Sequence, residues 1–229
     1  ALLIGAAIGL TVRCPGTVVG LVLAFGAGTL ISALTFELTE EAYALGGADA
    51  VALGLALGAL AFFLGDSLID RSGGEMRMSQ AGEQESGSPK ALLLGAVLDG
   101  IPESAVLGIT LLSGEGIGIA VLAAVFISNL PEGLSSSTGL RAAGWPRPRI
   151  LGVWALVAAI CAASAAAGYG LLDGASGNAL GLINAFAAGA VLTMLADVMF
   201  PEALKHGGKA AGLATALGFA VAFLLTTLE

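Results

Sequence analysis

Charge is what this chain has least of: Asp, Glu, Lys and Arg make up 11% of its 229 residues, against roughly a quarter in an ordinary soluble domain. That shortage excludes a soluble globular protein of this length. Aromatic residues are also few, at 6%, which suits helices that approach closely through small residues. The two cysteines exclude a disulfide framework, because Cys14 follows the first apolar run and Cys161 lies in the middle of another. Neither belongs to a spaced metal motif, and both read as packing residues. No charged n-region or cleavage pattern marks the first apolar run as a signal peptide. Nor does the sequence supply a nucleophile with a base beside its carboxylates, so the chain does not read as an enzyme.

What remains is apolar. Hydrophobic residues make up 57%, glycine occurs 35 times, and the mean hydropathy is +0.94. Apolar runs of about 20 residues, the length that crosses about 30 Å of hydrocarbon, recur along the chain. They predict an all-α membrane protein with one transmembrane domain over residues 1–229 and eight spans, at 1–12, 17–43, 50–70, 90–112, 117–140, 149–171, 179–205 and 208–228. The first run is too short to cross alone, so the expectation is that the true beginning of that helix is missing. The polar stretch 71–89, rich in Gly, Ser, Glu and Gln, is expected to be a flexible cytoplasmic loop.

The nine basic residues fall after the first, third, fifth and seventh spans: Arg13; Arg71, Arg77 and Lys90; Arg141, Arg147 and Arg149; Lys205 and Lys209. The positive-inside rule then makes those loops cytoplasmic and places both termini outside. The outer face carries Glu37, Glu40, Glu41, Asp49, Glu115 and Asp173. Two readings are open, solvated helix ends or a surface that gathers cations.

The chain also repeats itself. Residues 24–42, AFGAGTLISALTFELTEEA, align without gaps on residues 185–203, AFAAGAVLTMLADVMFPEA, with Gly28 on Gly189 and Glu41 on Glu202. The second and seventh spans run in opposite directions, so the copies are inverted, as in many secondary transporters. The alternative is the common Gly/Ala content of packed membrane helices. Between the copies, GIPES (100–104) and NLPEG (129–133) form a central pair. The arrangement is therefore 3+2+3, with spans 1–3 and 6–8 as inverted repeats.

The central pair carries the chemistry. A charged side chain at mid-membrane costs roughly 2.5–3.5 kcal/mol on the insertion scale, and Asp99, Glu103 and Glu132 are three such groups without a Lys or Arg at their depth. Protonation or an external cation must compensate. Residues four apart share a helix face, which groups Asp99 with Glu103 and Ser128 with Glu132, while Asn129 and Glu132, three apart, nearly share one. Pro102 and Pro131 free the carbonyls of Leu98 and Ile127 as additional oxygen ligands, or simply kink their helices.

At these residues the chain resembles the ZIP (Zrt-, Irt-like) family of divalent-metal transporters. Its patterns H-N-x-P-E-G and Gln/His-Asn/Asp-x-P-E-G are matched by DGIPES (99–104) and SNLPEG (128–133), and the resemblance extends to the seventh span at 188–203. It implies movement of zinc, manganese, iron(II) or a related cation into the cytoplasm through an inner-membrane homodimer. The bundle of spans 1, 4, 5 and 6 is implied to slide in an elevator-like motion. Neither a prosthetic group nor a nucleic-acid partner is expected; the partners are the metal ion and the lipid bilayer.

Carried over, the metal ligands are Asp99 in place of the family's histidine, Glu103, Ser128 in place of Gln or His, Asn129 and Glu132. Gly100 replaces an asparagine, and the sixth span lacks the acidic residue that some members give to a second metal, so one metal site is expected. A donor set without imidazole or thiolate is hard and favours manganese, magnesium or iron(II), although zinc accepts carboxylates. Path or release roles fall to Glu37, Glu41, Asp197, Glu202 and His206. SSST at 135–138 lines the path or only permits close packing. The rival to transport is a ZIP-like metal sensor or assembly protein that no longer moves ions.

Overall fold

The computed structural model describes residues 1–12, 14–69, 71, 89–111, 119–172 and 174–227. Most of the polar stretch 71–89, with Arg13, Glu115 and Asp173, lies outside them. Every regular element described is helical: α1 (Leu2–Thr11), α2 (Gly16–Ala33), α3 (Glu40–Ile69), α4 (Pro89–Thr110), α5 (Ile119–Ala142), α6 (Arg147–Leu172), α7 (Gly177–Met194), α8 (Phe200–Gly207) and α9 (Ala210–Thr226). Two widened, π-helical turns follow α2 and α7, over Leu34–Thr39 and Leu195–Met199. They begin at aligned positions of the repeat, and each carries one acidic residue, Glu37 or Asp197.

By length and composition, Gly16–Ile69, Arg147–Leu172 and Gly177–Gly207 are long and apolar enough to cross a membrane. The first, 54 residues long, is divided by a break at Gly47, where the sequence predicts two spans. The gap expected at 44–49 contains Gly47, whose φ of 71° and ψ of −176° interrupt α3. Only glycine adopts that conformation without penalty, so a single residue kinks the chain there and separates two helices.

The broadest helix contacts are α3 with α7, α2 with α9, α4 with α6 and α1 with α5. Glycine makes each of them close. A Cβ at Gly28 would overlap the carbonyl oxygen of Thr215, and one at Gly218 would overlap that of Phe25. Gly58 and Gly189 meet the carbonyls of Phe186 and Leu55 in the same reciprocal way. Gly5 and Gly133 do so between α1 and α5, as do Gly108 and Gly168 between α4 and α6. With no Cβ in the way, backbones touch and gain dispersion and weak Cα–H···O contacts, the main attractions available where the solvent is as apolar as the side chains.

Two apolar cores result. Leu23, Leu30, Phe62, Leu195 and Met199 belong to the core built mainly by α2, α3, α7 and the widened turns. Leu2, Leu10, Ala96, Leu140, Ile150 and Trp154 form a second one among α1, α4, α5 and α6. α4 and α5 contribute to both, and this places their middles inside the protein.

Gly58→Ala should lower stability by about 1–3 kcal/mol, the usual cost of overpacking, because its Cβ meets main chain that has nowhere to go. Gly152→Ala, with nothing within 4 Å of the added atom, should leave stability unchanged or slightly raised. Thermal unfolding of both variants in detergent checks the pair. By the same assay Gly47→Ala should cost about 1–3 kcal/mol for backbone strain alone.

Candidate metal centre

The five residues that the sequence singles out on α4 and α5 are all drawn into the interior. Asp99 is 3% exposed, Glu103 4%, Ser128 3%, Asn129 6% and Glu132 6%. Helical periodicity explains the grouping: positions 99, 103 and 106 form one stripe of α4, and positions 121, 125, 128, 129 and 132 form one of α5. Pro102 and Pro131 stand inside their helices, each one residue before a glutamate.

One contact joins the two stripes. Asn129 Nδ2 donates to Glu103 Oε2 at 2.6 Å and to the Val125 carbonyl at 2.8 Å. The Ser128 hydroxyl donates to the same carbonyl at 3.1 Å and also hydrogen-bonds with Glu103. Asp99 lies close enough for its charge to act on Glu103. Glu103 thus sees a carboxylate from its own helix and an amide and a hydroxyl from the next one. No Lys or Arg occurs between Lys90 and Arg141, so α4 and α5 bring no cation of their own to this depth.

Two spaces flank the cluster. Towards α2 and α7, Glu103 meets the wall formed by Leu30, Leu34, Val121 and Val191. Towards α1 and α6, an open cavity of about 250 Å³ is bordered by Ser104, Asn129 and Cys161 among apolar side chains. A water needs about 10–15 Å³ of such space, so polar groups on this wall have room for solvated ligands.

Cys161, read from the sequence as a packing residue, stands beside the carboxylates. Its side chain hydrogen-bonds with Ser104, and the charges of Glu132 and Glu103 act on it. Its sulfur lies 2.7 Å from where a Cβ at Gly100 would be, and among the described residues no atom of another helix besides it is within 4 Å of that point. The signal available in the sequence was the pairing of two departures, glycine at 100 and a thiol on the sixth span. Only the register of α6 on α4 connects them.

The remaining candidates stand elsewhere. Glu41 accepts a hydrogen bond from Asn184 Nδ2 at 3.1 Å, tying the start of α3 to α7. Glu37 is half-buried in the widened turn that precedes it, and Asp197 is exposed in the turn after α7. Glu202 Oε1 and His206 Nε2 pair at 2.8 Å, one helical turn apart on α8.

A donor set of carboxylates, amide and hydroxyl is what hard and borderline divalent cations accept. Among the described residues, however, no three of His, Cys, Asp and Glu stand together in a group that could hold a metal ion. An ion at this position needs oxygens from Asn129, Ser128 or the main chain as well. The Asn129 amide presents its N–H end to Glu103, so it must turn to offer its oxygen.

No protein-family model matches the chain. Over 190 residues it is 25% identical to an Arabidopsis thaliana protein described as a "putative zinc transporter". The match covers 82% of this chain and 30% of that protein, so the chain spans less than a third of the length of the curated relative it matches.

Asn129→Leu should destabilise the protein by about 1–3 kcal/mol, because it strips a buried carboxyl group of a hydrogen-bond donor. Glu103→Gln should cost less, since its amide oxygen still accepts from Asn129. Unfolding midpoints in detergent without added metal test this order, and equal losses would contradict it.

Proposed function

We propose that this protein is a ZIP-type membrane transporter that carries a divalent cation of the zinc, manganese or iron(II) class into the cytoplasm. In this reading Asp99, Glu103, Ser128, Asn129 and Glu132 bind the ion near the bilayer midplane. The observation that carries it is the contact of Glu103 with Asn129. It joins two proline-containing helices at a group of five polar side chains, Asp99, Glu103, Ser128, Asn129 and Glu132, all more than nine-tenths buried, in a stretch from Lys90 to Arg141 that has no Lys or Arg between those ends. Retaining such a group in an apolar bundle costs stability, and an ion in transit supplies the missing positive charge.

The eight-span, 3+2+3 organisation belongs to the same proposal. Its support is the reciprocity of the close contacts: Gly28 with Thr215 and Phe25 with Gly218 between α2 and α9 repeat as Gly189 with Leu55 and Phe186 with Gly58 between α7 and α3. The repeat that aligns Gly28 with Gly189 aligns Phe25 with Phe186 as well. The separate core among α1, α4, α5 and α6 favours movement of that bundle as one body, with the ion, against α2, α3, α7 and α9. Close approach of Gly26 to the Ser128 main chain gives the α2–α5 boundary a small-residue surface suited to sliding.

On this reading both termini face outward, and cations reach the site from the acidic face. Glu37 and Glu41 lie on the path in, while Asp197, Glu202 and His206 lie on the path out. Two copies assemble in the inner membrane. A second reading, a metal sensor without flux, is favoured by the replacement of the family's histidine and asparagine by Asp99 and Gly100.

Full-length protein in proteoliposomes, offered zinc, manganese, iron(II), cadmium and magnesium in turn, separates the two. Saturable uptake should appear for at least one ion. A Glu103→Gln/Glu132→Gln variant should lose it by more than about tenfold, since even an outer partner of a metal site is worth that much. Folded wild-type protein that binds metal but moves none would establish the sensor.

A further inference from the structure

The most informative group outside the expected ligand set is the thiol of Cys161. α6 packs along α4, with Gly168 and Gly108 allowing main-chain contact and Ser164 donating to the Ile101 carbonyl at 3.0 Å. That register lays the Cys161 sulfur over Gly100, in the space a side chain at 100 would occupy. Residue 100 lies between Asp99 and the Pro102–Glu103 pair, so the sulfur borders the polar cluster on its α6 side. Its neighbours agree: Ser104 is hydrogen-bonded to it, and Glu132 and Glu103 are near enough for their charges to act on it. Asn129, which holds Glu103, lines the same cavity wall as Cys161 and Ser104.

We propose that Cys161 is a metal ligand of the α4–α5 site and its specificity-determining residue, admitted by Gly100, and that it makes the site prefer thiophilic divalent cations. The proposal rests on the metal-binding reading of that site and specifies its substrate class. A thiol that binds a divalent ion does so as thiolate, releasing its proton to solvent in the cavity. Thiolate ligands favour zinc and cadmium, whereas carboxylate, carbonyl and water suit magnesium and manganese. The all-oxygen donor set of Asp99, Glu103, Asn129 and Glu132 leans to the harder ions; one sulfur among those oxygens moves the preference towards zinc and cadmium. A side chain at 100 would displace the sulfur from this position, so Gly100 leaves the thiol its place beside α4.

The test uses the full-length protein with Cys14→Ser, which leaves Cys161 as the only thiol among the residues of this sequence. Cadmium titration should produce a thiolate-to-metal charge-transfer absorption that disappears in Cys14→Ser/Cys161→Ser. In proteoliposomes, Cys161→Ser should lower the ratio of zinc or cadmium uptake to manganese uptake by about tenfold or more, the scale on which metal sites respond to the loss of supporting groups. An absent cadmium band, or an unchanged uptake ratio in Cys161→Ser while Glu103→Gln/Glu132→Gln still abolishes flux, overturns the role of Cys161 and leaves the transport reading standing. A cadmium band without flux for any ion supports the ligand and removes transport. If the serine variant does not fold, the band in the Cys14→Ser protein decides alone, its absence overturning the proposal.

Discussion

Everything in this protein is arranged around carboxyl groups buried without basic neighbours on their own helices. Asp99, Glu103 and Glu132 are each less than a tenth exposed, in a chain whose Lys and Arg are confined to helix ends and connections. An isolated charge in such surroundings is expensive, and a charge that is paired and hydrogen-bonded much less so. The protein meets the need in part with a neutral donor, the Asn129 amide. A neutral donor does not cancel a negative charge, and three carboxyl groups drawn together in the interior are the physical basis for the proposal that a cation binds there.

The scaffold that holds this cluster is made of small residues. In a medium that offers no hydrophobic drive for helix association, stability comes from how closely backbones approach. The reciprocal glycine contacts between α2 and α9, α3 and α7, α1 and α5, and α4 and α6 give four tight helix pairs. The two cores are linked by α4 and α5, which contribute side chains to both, so the buried polar residues of these helices sit where the two cores meet. The widened turns after α2 and α7 occur at the same point of the repeated segment and shift each acidic residue away from a regular helical position. Wide turns of this kind are rare and frequent at functional sites.

Much of this was legible in the sequence because the hydrophobic pattern is strong. The runs that predict spans at 149–171 and 179–205 correspond to Arg147–Leu172 and Gly177–Gly207, and 117–140 to Ile119–Ala142. The grouping of Asp99 with Glu103, and of Ser128 and Asn129 with Glu132, follows from helical spacing alone, and burial of all five agrees with it. That the break within Gly16–Ile69 falls on Gly47 alone was not legible, because a helix break of one residue has no compositional signature. Nor was the exposure of Asp197, since an acidic residue within an apolar run can face either way once the turn widens.

The sequence by itself determined the all-helical class, the positions of the long apolar helices and the identity of the buried carboxylates, because those depend on composition and on spacing along a single helix. Tertiary structure decided which groups share a site. Glu103 meets Asn129 across 26 positions of chain, and Cys161 comes to lie over Gly100 from 61 positions away. Such encounters depend on the register and rotation of packed helices, which glycine contacts set at the level of single carbonyl groups. No local pattern encodes them, so a thiol that reads as ordinary packing in the sequence becomes, in the folded chain, a neighbour of the carboxylates.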